Sequence, residues 1–294
     1  MSVQATKWFY LILLSIIWGS SFILIKKALI GLSPYQLGAL RILFTTFFLF
    51  SVGFGSLKKI KKKDWKWIAW SGYLGSFFPP FLFAIAQTRI DSAVASILNS
   101  LTPLNTFITG VLFYGVLVTK KQILGIILGL LGTVILIVSC SDINTSQNNW
   151  YSILIILASI GYALNVNMIK VHLEHLSAMS ITAGTFLLIF FPALVILYTT
   201  GFFSTVASSS EMQIGLVYVV ILSFFGTAMA KVVFNKLISI STPVFSSSVT
   251  YMMPLVAVLW GLLDGEKLDI YQLIGGVIII VGVYLSNKKN RVNK

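Results

Sequence analysis

The sequence predicts an all-α integral membrane protein, with ten transmembrane helices arranged as two inverted five-helix repeats. Three observations lead to this prediction. First, only 10% of the 294 residues are charged and 57% are hydrophobic, whereas a soluble domain carries about 25% charged residues. Second, apolar runs of about 20 residues, the length that spans a bilayer as a helix, recur along the chain. Third, the two halves share a weak pattern of spaced glycine, serine and proline residues.

Ten apolar segments account for most of the chain. Their approximate extents are Trp8–Ile30, Tyr35–Phe54, Trp67–Ala86, Ser92–Leu112, Gln122–Cys140, Trp150–Lys170, Met179–Thr199, Met212–Leu237, Pro243–Leu263 and Ile270–Ser286. A transmembrane β-barrel would instead alternate apolar and polar residues over about ten positions. The continuous apolar runs therefore exclude strands, and no long hydrophilic stretch remains for a water-soluble domain.

The positive charges follow the pattern that orients membrane proteins. Lys and Arg concentrate in short loops on the side that holds both termini, notably in Lys58–Lys66 and in the basic tail 288–294, while most acidic residues fall on the other side. Because cytoplasmic loops are enriched in Lys and Arg, we expect a multi-pass protein of the cell inner (plasma) membrane with both termini cytoplasmic. The net charge of +13 is then a topology signal, so membrane lipid is an expected partner and nucleic acid is not.

The two halves align when Gly75 is placed on Gly226. The same offset pairs Ser96 with Ser247, Pro103 with Pro254 and Leu104 with Leu255. We therefore predict a first five-helix repeat over residues 1–142 and a second over residues 150–287. Because five is odd, the second repeat enters the membrane in the opposite direction, which is typical of transporters with a substrate site between the halves. A helical bundle with an accidental repeat is the alternative.

Two sets of short motifs extend this pattern. The first half carries Trp18-Gly19-Ser20-Ser21-Phe22, Lys26, Pro34 and Ala39-Leu40-Arg41, and the second carries Pro254, Gly261, Gly265-Glu266, Gln272-x-x-Gly275 and Gly282. These motifs resemble EamA-type members of the drug/metabolite transporter superfamily. The resemblance implies a ten-helix exporter of small metabolites with a central cavity lined by both halves. The sequence departs from it at Tyr114-Gly115-Val116, where a Gly-Glu pair is expected, and at Lys231.

Lys231 lies in the middle of the eighth apolar segment. A lysine at the centre of a membrane helix costs about 2.5–3.5 kcal/mol on insertion scales, so it must face protein or a wet cavity. The repeat alignment places it opposite Pro80, which indicates an anion-binding or proton-coupled site. The alternative is an ammonium that snorkels toward the cytoplasmic face. Arg41, in the second segment, is either a substrate contact or a structural arginine bonded to backbone carbonyls.

Polar side chains recur at steps of three or four residues in the fourth segment, and similar groups occur in the sixth and ninth. Such faces either line a water-filled path or pack helices together. The aromatic residues of the first segment could supply apolar walls. The predicted cavity residues are Lys231, Arg41, Pro80, Trp18, Phe22, Ser96, Asn99, Tyr162, Asn165, Ser247 and Tyr251.

Catalytic chemistry is not expected, because the predicted spans contain no pair of carboxylates. His172-Leu173-Glu174-His175 does not match a zinc-protease spacing and is interpreted as a solvated loop, so neither a metal nor a cofactor is predicted. The function expected is a secondary transporter that exports a small, amino-acid-like or amphiphilic metabolite. A lipid or glycolipid flippase, or a membrane-embedded enzyme, is the alternative. The oligomeric state is open, with a homodimer among the options.

Overall fold

The computed structural model describes residues 2–115, 124–125, 127–129, 131–132, 135, 150–207, 209–267 and 269–287. The regular secondary structure of these residues is helical throughout. The helices are α1 (Val3–Ala28), α2 (Pro34–Gly53), α3 (Trp65–Gly72), α4 (Phe78–Ala86), α5 (Ser92–Asn99), α6 (Thr102–Tyr114), α7 (Trp150–Met168), α8 (Ala178–Thr199), α9 (Phe202–Thr205), α10 (Ser210–Ser223), α11 (Ala230–Ile240), α12 (Pro243–Ser247), α13 (Val249–Leu263) and α14 (Ile270–Asn287). Segments Tyr73–Phe77, Ile169–Leu173 and Phe224–Met229 are π-helical, and Phe54–Lys59 and Lys62–Asp64 are 3₁₀ turns.

Seven continuous helical stretches of the described residues are long and apolar enough to cross a membrane. They are Val3–Ala28, Pro34–Lys59, Lys62–Ala86, Trp150–Leu173, Ala178–Thr199, Ser210–Ile240 and Pro243–Leu263. The all-helical, multi-pass prediction is thereby confirmed. The fourth predicted segment is present as α5 and α6, and the tenth as α14. Most of Gln122–Cys140, the 142–149 loop and the tail 288–294 lie outside the described residues, so the count of ten stays a prediction.

Local sequence signals explain where several helices begin. The Ser33 hydroxyl accepts from the backbone N–H of Gln36, and the Gln36 side chain returns a bond to the Ser33 N–H, which forms a capping box. Pro34 occupies the first helical position, where its missing N–H is not needed. Ser177 caps α8 in the same way, by accepting from the N–H of Ser180. These two caps fix the first residues of α2 and α8.

Two π-helical segments occupy matching places in the two halves. Under the alignment of Gly75 with Gly226, Tyr73–Phe77 falls on residues 224–228, within segment Phe224–Met229. Segment Tyr73–Phe77 packs on α7, and segment Phe224–Met229 packs on α1. Each π segment thus contacts the first helix of the other half. Because π-helical turns are rare and concentrate at functional sites, their matched positions point to the place where the halves meet.

Close helix packing surrounds this meeting place. Helix α1 packs along α13, and α2 packs along α8. A Cβ at Gly19 would lie 2.7 Å from Val256 Cβ and 2.9 Å from the Met253 carbonyl oxygen, so only glycine permits this approach of α1 to α13. Large apolar side chains such as Phe47 and Tyr198 are exposed, as lipid-facing positions require. Among the described residues, large apolar side chains are therefore exposed on the outside, while α1 and α13 pack closely between the halves.

Candidate substrate cavity

A cavity lies between the two halves, where α5 ends and α6 begins. Its volume is about 70 Å³, which is room for several water molecules, so a larger ligand enters only by displacing side chains of the wall. Helices α1, α2, α4, α5, α6, α7, α11, α12 and α13 contribute to it. The lining residues are Trp18, Ser21, Phe22, Ile25, Arg41, Phe83, Asn99, Thr102, Tyr162, Asn165, Val166, Lys231, Phe234, Ser247, Thr250 and Met253.

Most of the residues predicted from the sequence come together at this cavity. Those that line it are Trp18, Phe22, Arg41, Asn99, Tyr162, Asn165, Lys231 and Ser247. Pro80, Ser96 and Tyr251 are not among the lining residues. Pro80 and Ser96 are buried, and Tyr251 is partly buried. Ser96 lies one turn before Asn99, which is the last residue of α5, so the cavity opens only where that helix ends.

Several lining residues escaped the sequence reasoning. Ser21 and Ile25 follow Trp18 and Phe22 on the same face of α1, at steps of three and four residues. Extending that face along the helix would have found them. Phe83, Val166, Phe234 and Met253 also line the cavity. These four apolar residues carry no polar signal and could not be separated from ordinary core positions.

Lys231 reaches across the cavity to the other half of the protein. Its Nζ donates a hydrogen bond of 2.5 Å to the carbonyl oxygen of Gly75, within segment Tyr73–Phe77. The same Nζ lies 5.3 Å from the centroid of the Tyr162 ring, a cation–π contact. A snorkelling lysine would place its ammonium at the membrane surface, whereas this ammonium lies at the cavity wall.

Trp18 makes the corresponding bond in the other direction. Its indole Nε1 donates 2.8 Å to the carbonyl oxygen of Gly226, the glycine that aligns with Gly75. A Cβ at Gly226 would lie 2.7 Å from Ser21 Oγ, and a Cβ at Gly75 would lie 2.4 Å from Asn165 Nδ2. Both glycines therefore permit close approach of a helix from the opposite half, and both carbonyls bond a cavity side chain.

Arg41 is buried, with 8% of its surface exposed. Its Nε donates 2.7 Å to Thr227 Oγ1, within segment Phe224–Met229 of the other half. Arg41 therefore bonds to a side-chain hydroxyl. The structural role considered for it from the sequence would have required bonds to backbone carbonyls. Arg41 and Lys231 are the charged residues among those that line the cavity, and both are cationic. The cavity wall is therefore positive and carries no carboxylate among its lining residues.

The acidic side chains Asp264 and Glu266, which follow α13, are not among the residues that line the cavity. Glu266 accepts from Lys26 Nζ at 2.9 Å, from Ser92 Oγ at 2.6 Å and from the N–H of Ala93 at 3.1 Å. Burial works to raise the pKa of Glu266, but the bonds from Ser92 and Lys26 outweigh it and hold the pKa below its ordinary value. Asp264 pairs with Lys26 and Lys27. This group of charges, here called the end cluster, ties α1, α5 and the segment after α13 together.

The His172–His175 segment is more ordered than the predicted solvated loop. The His172 ring stacks on Trp67 with centroids 3.6 Å apart. His175 Nε2 lies 3.1 Å from Oδ2 of the buried Asp64. The two rings thus dock the segment that follows α7 on Asp64 and Trp67, at the beginning of α3. Within the described part of the chain, no group of three or more His, Cys, Asp or Glu side chains could hold a metal ion.

Multi-pass helical proteins with a polar cavity between two similar halves are common among membrane transporters. The chain is a member of the EamA-like transporter family, whose model matches residues 6–138 and 149–288. The resemblance to this family that the sequence motifs suggested is thereby confirmed.

Curated relatives carry transporter names. The chain is 25% identical over 287 residues to an uncharacterized transporter of Archaeoglobus fulgidus, covering 96% of this chain and 99% of that one. It is 26% identical to the uncharacterized inner membrane transporter YedA of Escherichia coli (92% and 87% covered) and 28% identical to the uncharacterized transporter YdfC of Bacillus subtilis (95% and 90%). A crystal structure of a protein 15% identical in sequence matches with a TM-score of 0.65 over 97% of this chain and 96% of that one, which supports the fold alone.

Proposed function

We propose that this protein is a secondary transporter that exports a small metabolite across the cell membrane by alternating access. The observation that carries the proposal is the pair of bonds that cross between the halves, Lys231 to Gly75 and Trp18 to Gly226. Both involve side chains that line the cavity. A ligand that enters the cavity therefore meets the groups that join one half to the other, as an alternating-access site requires.

The proposal includes two inverted repeats, over residues 1–142 and 150–287, with both termini in the cytoplasm. It is supported by the matched π segments and by the reciprocal packing of each on the first helix of the other half. An inverted pair related by an axis in the membrane plane would produce this reciprocity. The excess of Lys and Arg in the loops on one side supports the orientation.

The cavity residues suit binding better than catalysis. Their side chains include amides, hydroxyls, two cations and several aromatic rings, with neither a paired acid and base nor a nucleophile beside a base among the lining residues. Such a set can hold a small polar molecule and release it unchanged. The direction of export rests on the family resemblance.

Transport by the purified full-length protein in proteoliposomes tests this function. Uptake of a panel of labelled amino acids, organic acids and drug-like amines would be measured with and without an imposed pH gradient, and everted vesicles would report the direction. We expect saturable uptake of at least one member, absent from protein-free liposomes. Translocation of labelled lipids in the same liposomes, without uptake of any soluble compound, would favour the flippase and contradict the proposal.

A further inference from the structure

We propose that the cavity selects a small organic carboxylate that carries no ammonium group, and that its carboxylate replaces the Gly75 carbonyl as the partner of Lys231. This inference rests on the proposed transport function and narrows the substrate class of the same cavity. The expected ligand is then an organic anion, in place of the amino-acid-like metabolite expected from the sequence.

The charges of the wall favour an anion. Arg41 and Lys231 both line the cavity, and the lining residues include neither Asp nor Glu. In a site of low dielectric constant, a buried charge needs an opposite charge or strong hydrogen bonds. A carboxylate receives both from Lys231, whereas the ammonium of an amino acid would lie near two cations without an acid to pair with.

The amide groups of the wall also favour an anion. Asn165 Oδ1 accepts from Ser71 Oγ at 2.6 Å. The Thr102 hydroxyl donates to the Asn99 backbone carbonyl at 2.7 Å and also lies 3.2 Å from Asn99 Oδ1. The Asn165 oxygen is thus engaged within the protein and the Asn99 oxygen shares the Thr102 hydroxyl, so the NH₂ groups are the ends left to bond a ligand. An ammonium needs acceptors, while a carboxylate needs donors, which these two amides supply.

The hydroxyl groups of the wall offer a ligand acceptors, whereas the amides offer donors. Ser21 and Ser247 each donate to a carbonyl of their own helix, and Thr250 donates to the Ser247 carbonyl at the end of α12. Their oxygens remain as neutral acceptors, which suit an uncharged polar group but cannot balance an ammonium. The lining also includes apolar side chains, among them Phe22, Phe83, Phe234 and Met253. The ligand expected therefore has one carboxylate on a small apolar or aromatic body.

The bond between Lys231 and Gly75 couples this ligand to the interface between the halves. An ammonium binds a carboxylate more strongly than an uncharged carbonyl, because the bond is then charged on both sides. A carboxylate that takes the ammonium releases the Gly75 carbonyl in segment Tyr73–Phe77. One of the two crossing bonds is then broken by the ligand, while the bond from Trp18 to Gly226 persists. Binding thereby removes the contact between the halves at Gly75 and leaves the contact at Gly226 in place.

Three ligands of one shape separate the possibilities. The probes are 3-phenylpropanoate, phenylalanine and 2-phenylethylamine, which share a phenyl body and differ in whether they carry the carboxylate, both charges or the ammonium. Binding to the purified full-length protein would be measured by calorimetry. We expect 3-phenylpropanoate to bind about tenfold or more tightly than phenylalanine, a difference of about 1.4 kcal/mol, and 2-phenylethylamine to bind least. A ranking in which 3-phenylpropanoate does not lead overturns the inference.

Matched variants locate the selectivity. In Lys231→Met, 3-phenylpropanoate should lose its advantage over phenylalanine, while in Lys236→Met, which alters an exposed lysine of the same helix, the ranking should be unchanged. An unchanged ranking in well-folded Lys231→Met protein would overturn the role of Lys231. If that variant does not fold, the wild-type ranking still decides the substrate class. Carboxylate that binds but is never transported would contradict the proposed function and leave this inference standing.

Discussion

Lys26 Nζ lies 2.9 Å from Oε1 of Glu266, and this contact joins the end of α1 to the segment that follows α13. Glu266 also accepts from the backbone N–H groups of Ser92 and Ala93 at the start of α5. A carboxylate placed there satisfies orphan helix donors and interacts well with the positive end of the helix. One side chain of the second half thus holds two helices of the first half, and both of those helices line the cavity.

Replacing Glu266 with Gln should destabilise the protein. The variant keeps the shape but removes the charge from bonds to Lys26 and Ser92, and a lost bond to a charged group typically costs about 1.5–3 kcal/mol. We expect a lower melting temperature in detergent than for the wild type. Glu174→Gln is the matched control, because Glu174 pairs with Lys170 at a more exposed position, where such pairs contribute little. Equal melting temperatures for Glu266→Gln and wild type would contradict the structural role of the end cluster.

The same carboxylate should make stability depend on pH. Because the pKa of Glu266 is held below its ordinary value of 4.5, its contribution is complete above that ordinary value and is lost as the pH falls through the folded-state pKa. The difference in melting temperature between wild type and Glu266→Gln should therefore narrow as the pH is lowered from neutral into that acidic range. Thermal unfolding of both proteins across the pH series measures this difference. A difference that widens as the pH falls would contradict the predicted direction of the pH dependence.

Adding a methyl group at either π-segment glycine should disturb the interface. A Cβ at Gly75 would collide with the Asn165 side chain and a Cβ at Gly226 would collide with Ser21, and overpacking of this kind costs about 1–3 kcal/mol. We expect Gly75→Ala and Gly226→Ala to melt at lower temperature and to transport more slowly. Gly55→Ala, where nothing lies within 4 Å, is the control and should behave as wild type. Normal transport by both interface variants would argue against these segments as the meeting point of the halves.

Lys231→Met should insert and express normally but fail to transport. Methionine keeps an apolar stem of similar length and removes the ammonium that bonds to Gly75. Lys231→Arg should restore activity only partly, because a planar guanidinium differs in shape from an ammonium and stays protonated. Uptake into proteoliposomes at equal protein content measures the effect. Full activity of Lys231→Met would remove this residue from the substrate site.

Cysteine labelling should distinguish the cavity wall from the helix interfaces. In a Cys140→Ala background, cysteines at Asn99 and Ser247, which line the cavity, should react with a small polar thiol reagent. A cysteine at Ser96, which is 0% exposed and outside the lining, should be protected, although the polar stripe groups it with Asn99. Mass spectrometry of the labelled protein reports the reaction. Protection of all three positions would mean that the cavity is closed to water.

Reporter fusions test the inverted topology. A fusion in the 142–149 loop and a fusion at the C-terminus should give opposite signals, because five spans are predicted to separate them. The C-terminal fusion should report the cytoplasm, as the Lys- and Arg-rich loops indicate. Alkaline phosphatase and fluorescent-protein fusions provide the two readouts. The same signal from both sites would rule out ten spans in two inverted repeats.

The repeat in the sequence carried more structural information than its weak similarity suggested. The alignment of Gly75 with Gly226 was based on spaced glycine, serine and proline residues, and the matched π segments fall on those two glycines. Where two helices approach this closely there is no room for a Cβ, so the position must be glycine. The sequence therefore records the close approach directly. The partners that fill that space, Asn165 and Ser21, come from distant segments and could not be paired by reading the chain.

The sequence by itself determined the helical class, the apolar spans, the family and most of the polar residues at the cavity. It could do so because insertion into lipid requires long apolar runs and makes every buried polar group costly. Only the tertiary structure decided which members of a polar stripe reach the cavity, since Asn99 lies at the end of α5 while Ser96 lies within it. It also decided where the ammonium of Lys231 points, because a flexible side chain can reach the membrane surface or the cavity. The Gly75 carbonyl that captures it lies on another helix, brought there only by folding.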